Sequence, residues 1–300
     1  MFRIKLHILL ITLLLALVSC QPDILSSDPT AQLAFSQDSV LFDTIFTTMG
    51  SSTKQMMVYN PNKNAILIDR VEMSNGKSFF INLDGENQLE NLCDITLRGG
   101  DSLFLFIRAE IDPLKSNSPV LVEDTITFHV NKKAQHIYLQ AYGQDVEILQ
   151  SKDKFIQKNA FIFNNKKPYL IYDTLVIAGD LTIQQGATLY MHTGAMIYAY
   201  GNVTAHGTKD NPIIIRGDRT DMLFDSVPYR VASGQWDGLY LMHPKDWPIP
   251  QYSLEYVDIL SGAIGLYAYS EEIEQRPQLS LSNARIHNHS VYGLVAQNVD

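Results

Sequence analysis

Short runs in which apolar and polar residues alternate with a period of two recur along this chain, and they read as half-buried strands. Ile126, Phe128 and Val130 put three apolar side chains on one strand face, and Ile66, Ile68 and Val71 do the same with a shift. Such runs predict strands over 39–46, 55–59, 65–73, 79–83, 103–108, 124–130 and 137–141, with a short one over 93–97. Turn-formers separate them, among them Asn60-Pro61-Asn62, Ser74-Asn75-Gly76, Asp84-Gly85 and Gly99-Gly100-Asp101. The start of the chain differs. Arg3 and Lys5 precede Leu6 to Val18, thirteen mostly apolar residues, too few for a hydrocarbon core that needs about 20 helical residues. A charged start followed by a short apolar run is an export signal, placed at 1–19.

Seven or so strands across 32–146 predict an immunoglobulin-like β-sandwich. Phe42-Asp43-Thr44, Gly50-Ser51-Ser52, Val58-Tyr59-Asn60, Gly100-Asp101-Ser102 and Leu139 to Gly143 resemble the Hydin/MSP-like immunoglobulin domains of bacterial surface proteins. That resemblance implies a spacer or interaction module.

Beyond a linker or cap at 147–167 the chain repeats itself. Gly179-Asp180-Leu181-Thr182-Ile183 returns as Gly201-Asn202-Val203-Thr204-Ala205, 22 residues on. Gly238-Leu239-Tyr240, Gly265-Leu266-Tyr267 and Gly293-Leu294-Val295 follow at offsets of 27 and 28, and Ser253 to Ile259 aligns with Ser280 to Ile286 at 27. Units this short, built of strands, cannot bury their own apolar face and must stack on neighbours. The expectation is an all-β chain whose second part, 168–300, is a right-handed parallel β-helix. Pro168 to Ile171, Leu181 to Tyr190, Gly207-Thr208 with Asn211-Pro212-Ile213, Arg216 to Arg219 and Gly234 to Gly238 resemble the parallel β-helix lipoproteins of Bacteroidetes. Asp300 falls in mid-coil, so the solenoid is expected to be incomplete at its C-terminus.

Leu17-Val18-Ser19-Cys20 resembles the lipobox of bacterial lipoproteins, which implies cleavage before Cys20 and acylation of its thiol. Acyl chains would then attach the mature protein to the membrane without a spanning helix. Residues 20–31 have the Pro, Ser and Asp content of a tether. Asp23 and Asp28 resemble, weakly, the acidic stretch that routes some Bacteroidetes lipoproteins to the cell surface. The expected location is therefore the outer membrane of a bacterial envelope, facing outward. Removing Arg3 and Lys5 with the signal leaves 21 basic against 32 acidic residues, a net charge of −11. That balance disfavours nucleic acid as a partner.

Candidate chemistry is sparse. With Cys20 acylated, Cys93 has no disulfide partner, and its alternation with Ile95 and Leu97 predicts a buried thiol. No metal site and no cofactor signature is expected; the His287-Asn288-His289 pair lacks a third ligand, and surface histidines at a turn are the plain reading. Asp218, Asp221 and Asp225 share one excursion between Ile215 and Trp236, with Arg216, Arg219 and Arg230 nearby; they would oppose a sugar or a cation, or form a solvated charged loop. Trp236, Tyr240, Trp247, Tyr252, Tyr256 and Tyr267 would stack on sugar rings if they point outward, or pack inside the solenoid if they do not. Asp258 aligns with Arg285 rather than with a second acid, so the stacked carboxylates of a calcium-holding lyase are missing at that position. Three classes of role stay open: an envelope lipoprotein that binds a glycan or protein ligand, a β-helix polysaccharide lyase or hydrolase acting from the excursion or from coils beyond Asp300, and a purely structural stalk.

Overall fold

The computed structural model describes residues 24–150, 154–224 and 226–300. The signal segment, Cys20 and Asp225 lie outside the described residues. Among those residues there is no α-helix, only two short 3-10 turns at Leu89–Asn91 and Tyr229–Val231, and no helix long and apolar enough to cross a membrane. The protein is all-β.

The chain divides into two compact units. The first holds the described residues up to Leu41 with Ser51–Ala109 and Glu123–Gln140; the second holds Phe42–Gly50, Glu110–Val122 and Ala141–Asp300. The N-terminal half of the chain builds a four-stranded sheet, ordered Ala34–Phe35, Lys54–Tyr59, Ser102–Ala109, Phe79–Leu83. It also builds a five-stranded one, ordered Ser39–Phe46, Lys133–Gln144, Val120–Val130, Ile66–Met73, Cys93–Leu97. Within the first unit, alternate residues of both sheets are buried, including Val58, Ile68, Phe79, Ile81, Leu105, Ile107, Ile126 and Phe128. Phe35 of one sheet meets Phe128 of the other with ring centroids 5.3 Å apart.

Two buried polar side chains fix turns in this unit. Asn60, 1% exposed, donates through Nδ2 to the carbonyls of Asn64, Leu97 and Arg98 and accepts from the Asn62 N–H, so one amide closes three backbone acceptors at a strand end. Asp124 accepts from the N–H groups of Asn75, Gly76 and Thr125. The described residues of the expected tether, 24–31, are hydrogen-bonded to this unit. Ile24 and Ser26 exchange backbone hydrogen bonds with Ala65, at 3.0 and 2.8 Å, and Asn131 Nδ2 donates to the carbonyls of Asp28 and Ala31.

The expectation for Cys93 is corrected. It is exposed, and the inward residue at this strand start is its neighbour Leu92, which is fully buried and accepts from the Val71 N–H at 2.7 Å. Asp94 has φ +53, a left-handed residue that breaks the alternation relating Cys93 to Ile95 and Leu97.

In the second unit the chain visits three parallel sheets in strict rotation. The first parallel sheet is ordered Glu147–Leu149, Tyr169–Ile171, Thr188–Met191, Ile213–Gly217, Val257–Leu260, Arg285–His287. The second is Lys154–Gln157, Thr174–Ile177, Met196–Ala199, Gly238–His243, Ile264–Ser270, Tyr292–Gln297. The third is Phe161–Phe163, Leu181–Ile183, Val203–His206, Gln251–Glu255, Gln278–Ser282. Parallel neighbours in one sheet are therefore one circuit apart in sequence. The pairing register reproduces the repeats: Leu181 pairs with Val203, Leu239 with Leu266 and then Leu294, and Ser253 with Ser280. Inward residues from all three sheets form one buried cluster that includes Leu189, Ile197, Ile215, Leu239, Leu254, Ile259 and Leu266. The last circuit is less covered, with Leu294 45% exposed although it registers with fully buried Leu266.

Glycines mark where successive circuits touch. A Cβ on Gly201 would lie 2.6 Å from the Gly179 carbonyl oxygen, and one on Gly265 would lie 2.4 Å from that of Gly293. Of the recurring glycines, Gly179, Gly201 and Gly265 sit where backbone meets backbone with no room for a side chain, whereas a Cβ on Gly293 would meet nothing closer than 3.7 Å.

Candidate functional site

The outer face of the first parallel sheet carries a groove with about 330 Å³ of space. Strand alternation turns Ile213 and Ile215 into the core and Ile214 and Arg216 outward. Register then sets Thr188, Ile214, Asp258 and Arg285 in one row and Tyr190 beside Arg216 in the next. The excursion after Gly217 returns over this face and supplies Arg230 and Val231 to the lining. Three hydrogen bonds pin that return: Gln235 Nε2 donates to the carbonyls of Tyr229 and Ala232 at 2.9 and 2.7 Å, and Ser261 Oγ donates to the Arg230 carbonyl at 2.7 Å.

Three guanidinium groups thus line the groove against one carboxylate. Arg285 donates through Nε and Nη2 to the two oxygens of Asp258, whose side chain is 12% exposed. This hydrogen bonding and charge hold the Arg285 guanidinium above its usual range. Arg216 spends Nε on the Gly217 carbonyl at 3.1 Å and Nη2 on the Arg219 carbonyl at 2.5 Å, and its guanidinium carbon sits 5.6 Å from the Tyr190 ring centroid. Burial pushes Arg216 below its usual range; Arg230 adds to that push by like charge, while Tyr190 and Asp218 oppose it. Arg230 makes no ion pair among the described residues. On an acidic chain this groove is a local concentration of positive charge.

Asp218 and Asp221, the described candidate acids of the excursion, do not line this groove. Asp218 lies 2.6 Å from His192 Nδ1, and Tyr172 packs on the same imidazole with centroids 4.4 Å apart. Asp221 is bound by Arg219 Nε and Nη2 at 2.8 and 2.5 Å, and Arg219 also lies over the Tyr229 ring. Each described acid of the excursion is bonded to its own partner, Asp218 to His192 and Asp221 to Arg219, so the two do not converge on a shared ligand. Among the described residues no group of three His, Cys, Asp or Glu side chains is arranged to hold a metal ion. His287 is exposed beside the groove, while His289 points inward and donates from Nε2 to the Ile259 carbonyl at 3.1 Å. Asn288, at φ +58, separates the two rings, and burial holds the His289 imidazole below its usual range.

The aromatic candidates separate into three environments. Trp236 is 1% exposed and its indole N–H donates to the Leu260 carbonyl at 2.9 Å, so it is a core residue and not a ligand platform. Tyr252 is likewise buried, and burial drives its phenol far above the usual range. Tyr240 does face outward, but it is sandwiched. Tyr198, Tyr240 and Tyr267 occupy one register row of the second parallel sheet; Tyr198 stacks on Tyr240 with centroids 4.7 Å apart, and Tyr267 lies tilted against the other side at 5.7 Å. These contacts across neighbouring strands stabilise the sheet and occupy the stacked face of Tyr240 that a sugar ring would need.

Trp247, 46% exposed, keeps an open surface beside Tyr200. Its loop is held by buried His243, whose Nε2 donates to the Trp247 carbonyl at 3.1 Å while Nδ1 contacts Ser270 Oγ at 2.9 Å.

No protein-family model and no curated protein matches the chain. Among solved structures it is similar to a family 123 glycoside hydrolase from Clostridium perfringens, at 7% identity and TM-score 0.29, over 40% of this chain and 30% of that one. It is similar also to a PapD-like domain of human CEP192, at 11% identity and TM-score 0.26, over 45% of this chain and 97% of that domain. The Vibrio cholerae VesB protease aligns at 11% identity and TM-score 0.26, over 37% of this chain and 31% of that one. The chain spans about a third of the length of the hydrolase and the protease, and likeness at this level carries no argument about activity.

Proposed function

We propose that this chain is a lipid-anchored lipoprotein of a bacterial cell envelope, facing outward from the outer membrane, and that it binds a glycan or envelope-protein ligand without turning it over. In this reading an immunoglobulin-like sandwich precedes a right-handed parallel β-helix, each circuit through the three parallel sheets being one coil. The lipobox-like Leu17 to Cys20 supports the anchor, and the rotation of strands, with offsets in the third sheet of 20 residues from Phe161 to Leu181, 22 from Leu181 to Val203 and 27 from Tyr252 to Leu279, and a longer one of 49 from Val203 to Tyr252, supports the coil.

The observation that carries the binding role is the arginine-lined groove over the first parallel sheet. Glycosidases need two carboxyl groups poised across a substrate, about 5 to 9.5 Å apart. Here Asp218 and Asp221 are tied to His192 and Arg219 instead. The test is to incubate the mature full chain with a panel of acidic and neutral polysaccharides, scoring retention together with release of unsaturated products or reducing ends. Retention without turnover is the expected result. Turnover that disappears in Asp218→Ala or Asp221→Ala would overturn the reading in favour of an enzyme.

A further inference from the structure

We propose that the groove between the first parallel sheet and the 217–234 excursion binds the carboxylate of an acidic saccharide, seated between Arg230 and Arg216. The inference rests on the binding reading above and names its ligand class.

The charge balance is the first reason. Arg285 is neutralised by a bidentate bond to Asp258, whereas Arg216 and Arg230 face the same space with no carboxylate of the described residues bonded to either. Both guanidinium groups line the groove; burial pushes Arg216 below its usual range, and like-charge repulsion from Arg230 adds a smaller push in the same direction. An anion between them relieves that repulsion. Arg216 holds Nε and one N–H of Nη2 on backbone carbonyls, so its plane is fixed while its remaining N–H groups stay free for an acceptor. A guanidinium with a fixed plane suits the planar, two-oxygen acceptor of a carboxylate.

The size and texture of the groove are the second reason. Its volume of about 330 Å³ lies at the lower end of small-molecule clefts, which run from about 300 to 1,000 Å³. That space is far larger than an inorganic anion needs. Ile214, Val231 and Leu260 share the lining with the charged groups, giving a mixed wall for the C–H face and the hydroxyls of a sugar ring. With 23 basic against 32 acidic residues in the whole chain, the surface at large repels an anion and the attraction is local to this groove.

Calorimetry on the mature full chain tests this with three probes: trigalacturonate, its methyl ester, and inorganic sulfate. Arg230→Gln is the informative variant, because Arg230 is exposed and its side chain makes no described ion pair; Lys209→Gln, on an exposed turn outside the groove, is the control. Trigalacturonate is expected to bind, with the methyl ester and Arg230→Gln each weakening binding about tenfold or more, and with affinity falling as sodium chloride is added. Equal binding of the acid and its ester, failure of trigalacturonate to bind, or an Arg230→Gln variant with unchanged affinity would overturn the carboxylate assignment. Sulfate binding as tightly as the trisaccharide would overturn the saccharide part. Shortened or unsaturated trisaccharide in the same samples would sink the non-catalytic reading while leaving the charge dependence intact, so the two failures are distinguishable.

Discussion

Replacing Gly201 with alanine probes the stacking of one circuit on the next. The added methyl group would lie 2.6 Å from the Gly179 carbonyl oxygen, 2.7 Å from its carbon and 2.9 Å from the Asp180 nitrogen, whereas ordinary contact begins near 3.4 Å. All three atoms are backbone, so no rotamer change can make room. The circuits must part by nearly 1 Å at this corner, where the Leu181 N–H donates to the Asn202 carbonyl at 2.8 Å and Asp180 accepts from the Asn202 N–H and Nδ2 at 3.0 Å. Overpacking costs about 1–3 kcal/mol, and a weakened backbone hydrogen bond adds about 1 kcal/mol, for an expected loss of roughly 2–4 kcal/mol. Gly186 is the control. It has φ +76, but its nearest Cβ contact is an ordinary 3.7 Å, so Gly186→Ala should cost only the backbone term of about 1–2 kcal/mol. Urea unfolding followed by the emission of buried Trp236 is the assay. A Gly201→Ala midpoint matching the wild type, or one less affected than Gly186→Ala, would refute the stacking argument.

Two further substitutions test how the second unit is held. Asp145 has a side chain 5% exposed; burial alone would raise its pKa, but bonds from the Leu114 N–H, the Thr47 hydroxyl, the Ser116 N–H and Lys167 outweigh it and hold the carboxyl below its usual range. Its stabilising contribution is therefore complete above the unfolded value of about 3.9 and is lost as pH falls through the lower folded value, so Asp145→Asn should flatten the acid limb of a urea midpoint against pH. A limb of unchanged slope would contradict that assignment. Tyr240→Ala removes two ring contacts and should destabilise by about 1–3 kcal/mol, while leaving trigalacturonate affinity unchanged. Lost affinity with intact stability would instead make the tyrosine row a ligand surface.

Much of this architecture is legible in the chain because it is local. Alternation locates Ser39–Phe46 and Phe79–Leu83 at their observed bounds, and the alignment of Ser253 to Ile259 with Ser280 to Ile286 is the observed register. The site is less legible because its contacts cross circuits. Tyr240 and Tyr267 repeat at an offset of 27, but Tyr198 and Tyr240 are partners separated by 42 residues, since the excursion lengthens that circuit, and a period in the twenties does not bring Tyr198 into the row. Asp218 meets His192 from the preceding circuit, a pairing that no reading of the excursion by itself reveals. The alignment of Asp258 with Arg285 is plain in the sequence, yet its meaning as an ion pair on a groove wall depends on both side chains facing outward. Arg230 carries no periodic signal at all; only the return of the excursion over the sheet brings it to Arg216.

The central claim is that Cys20 anchors this chain and makes it a display module of the envelope. The most direct measurement is the mass of the N-terminal peptide of the mature protein, isolated from the membrane fraction of cells expressing the full chain. The account predicts a peptide beginning at Cys20 and carrying diacylglycerol, with Cys20→Ala abolishing the modification and releasing the protein from membranes. An unmodified peptide spanning Ser19 and Cys20, or a soluble mature chain beginning elsewhere, would contradict it.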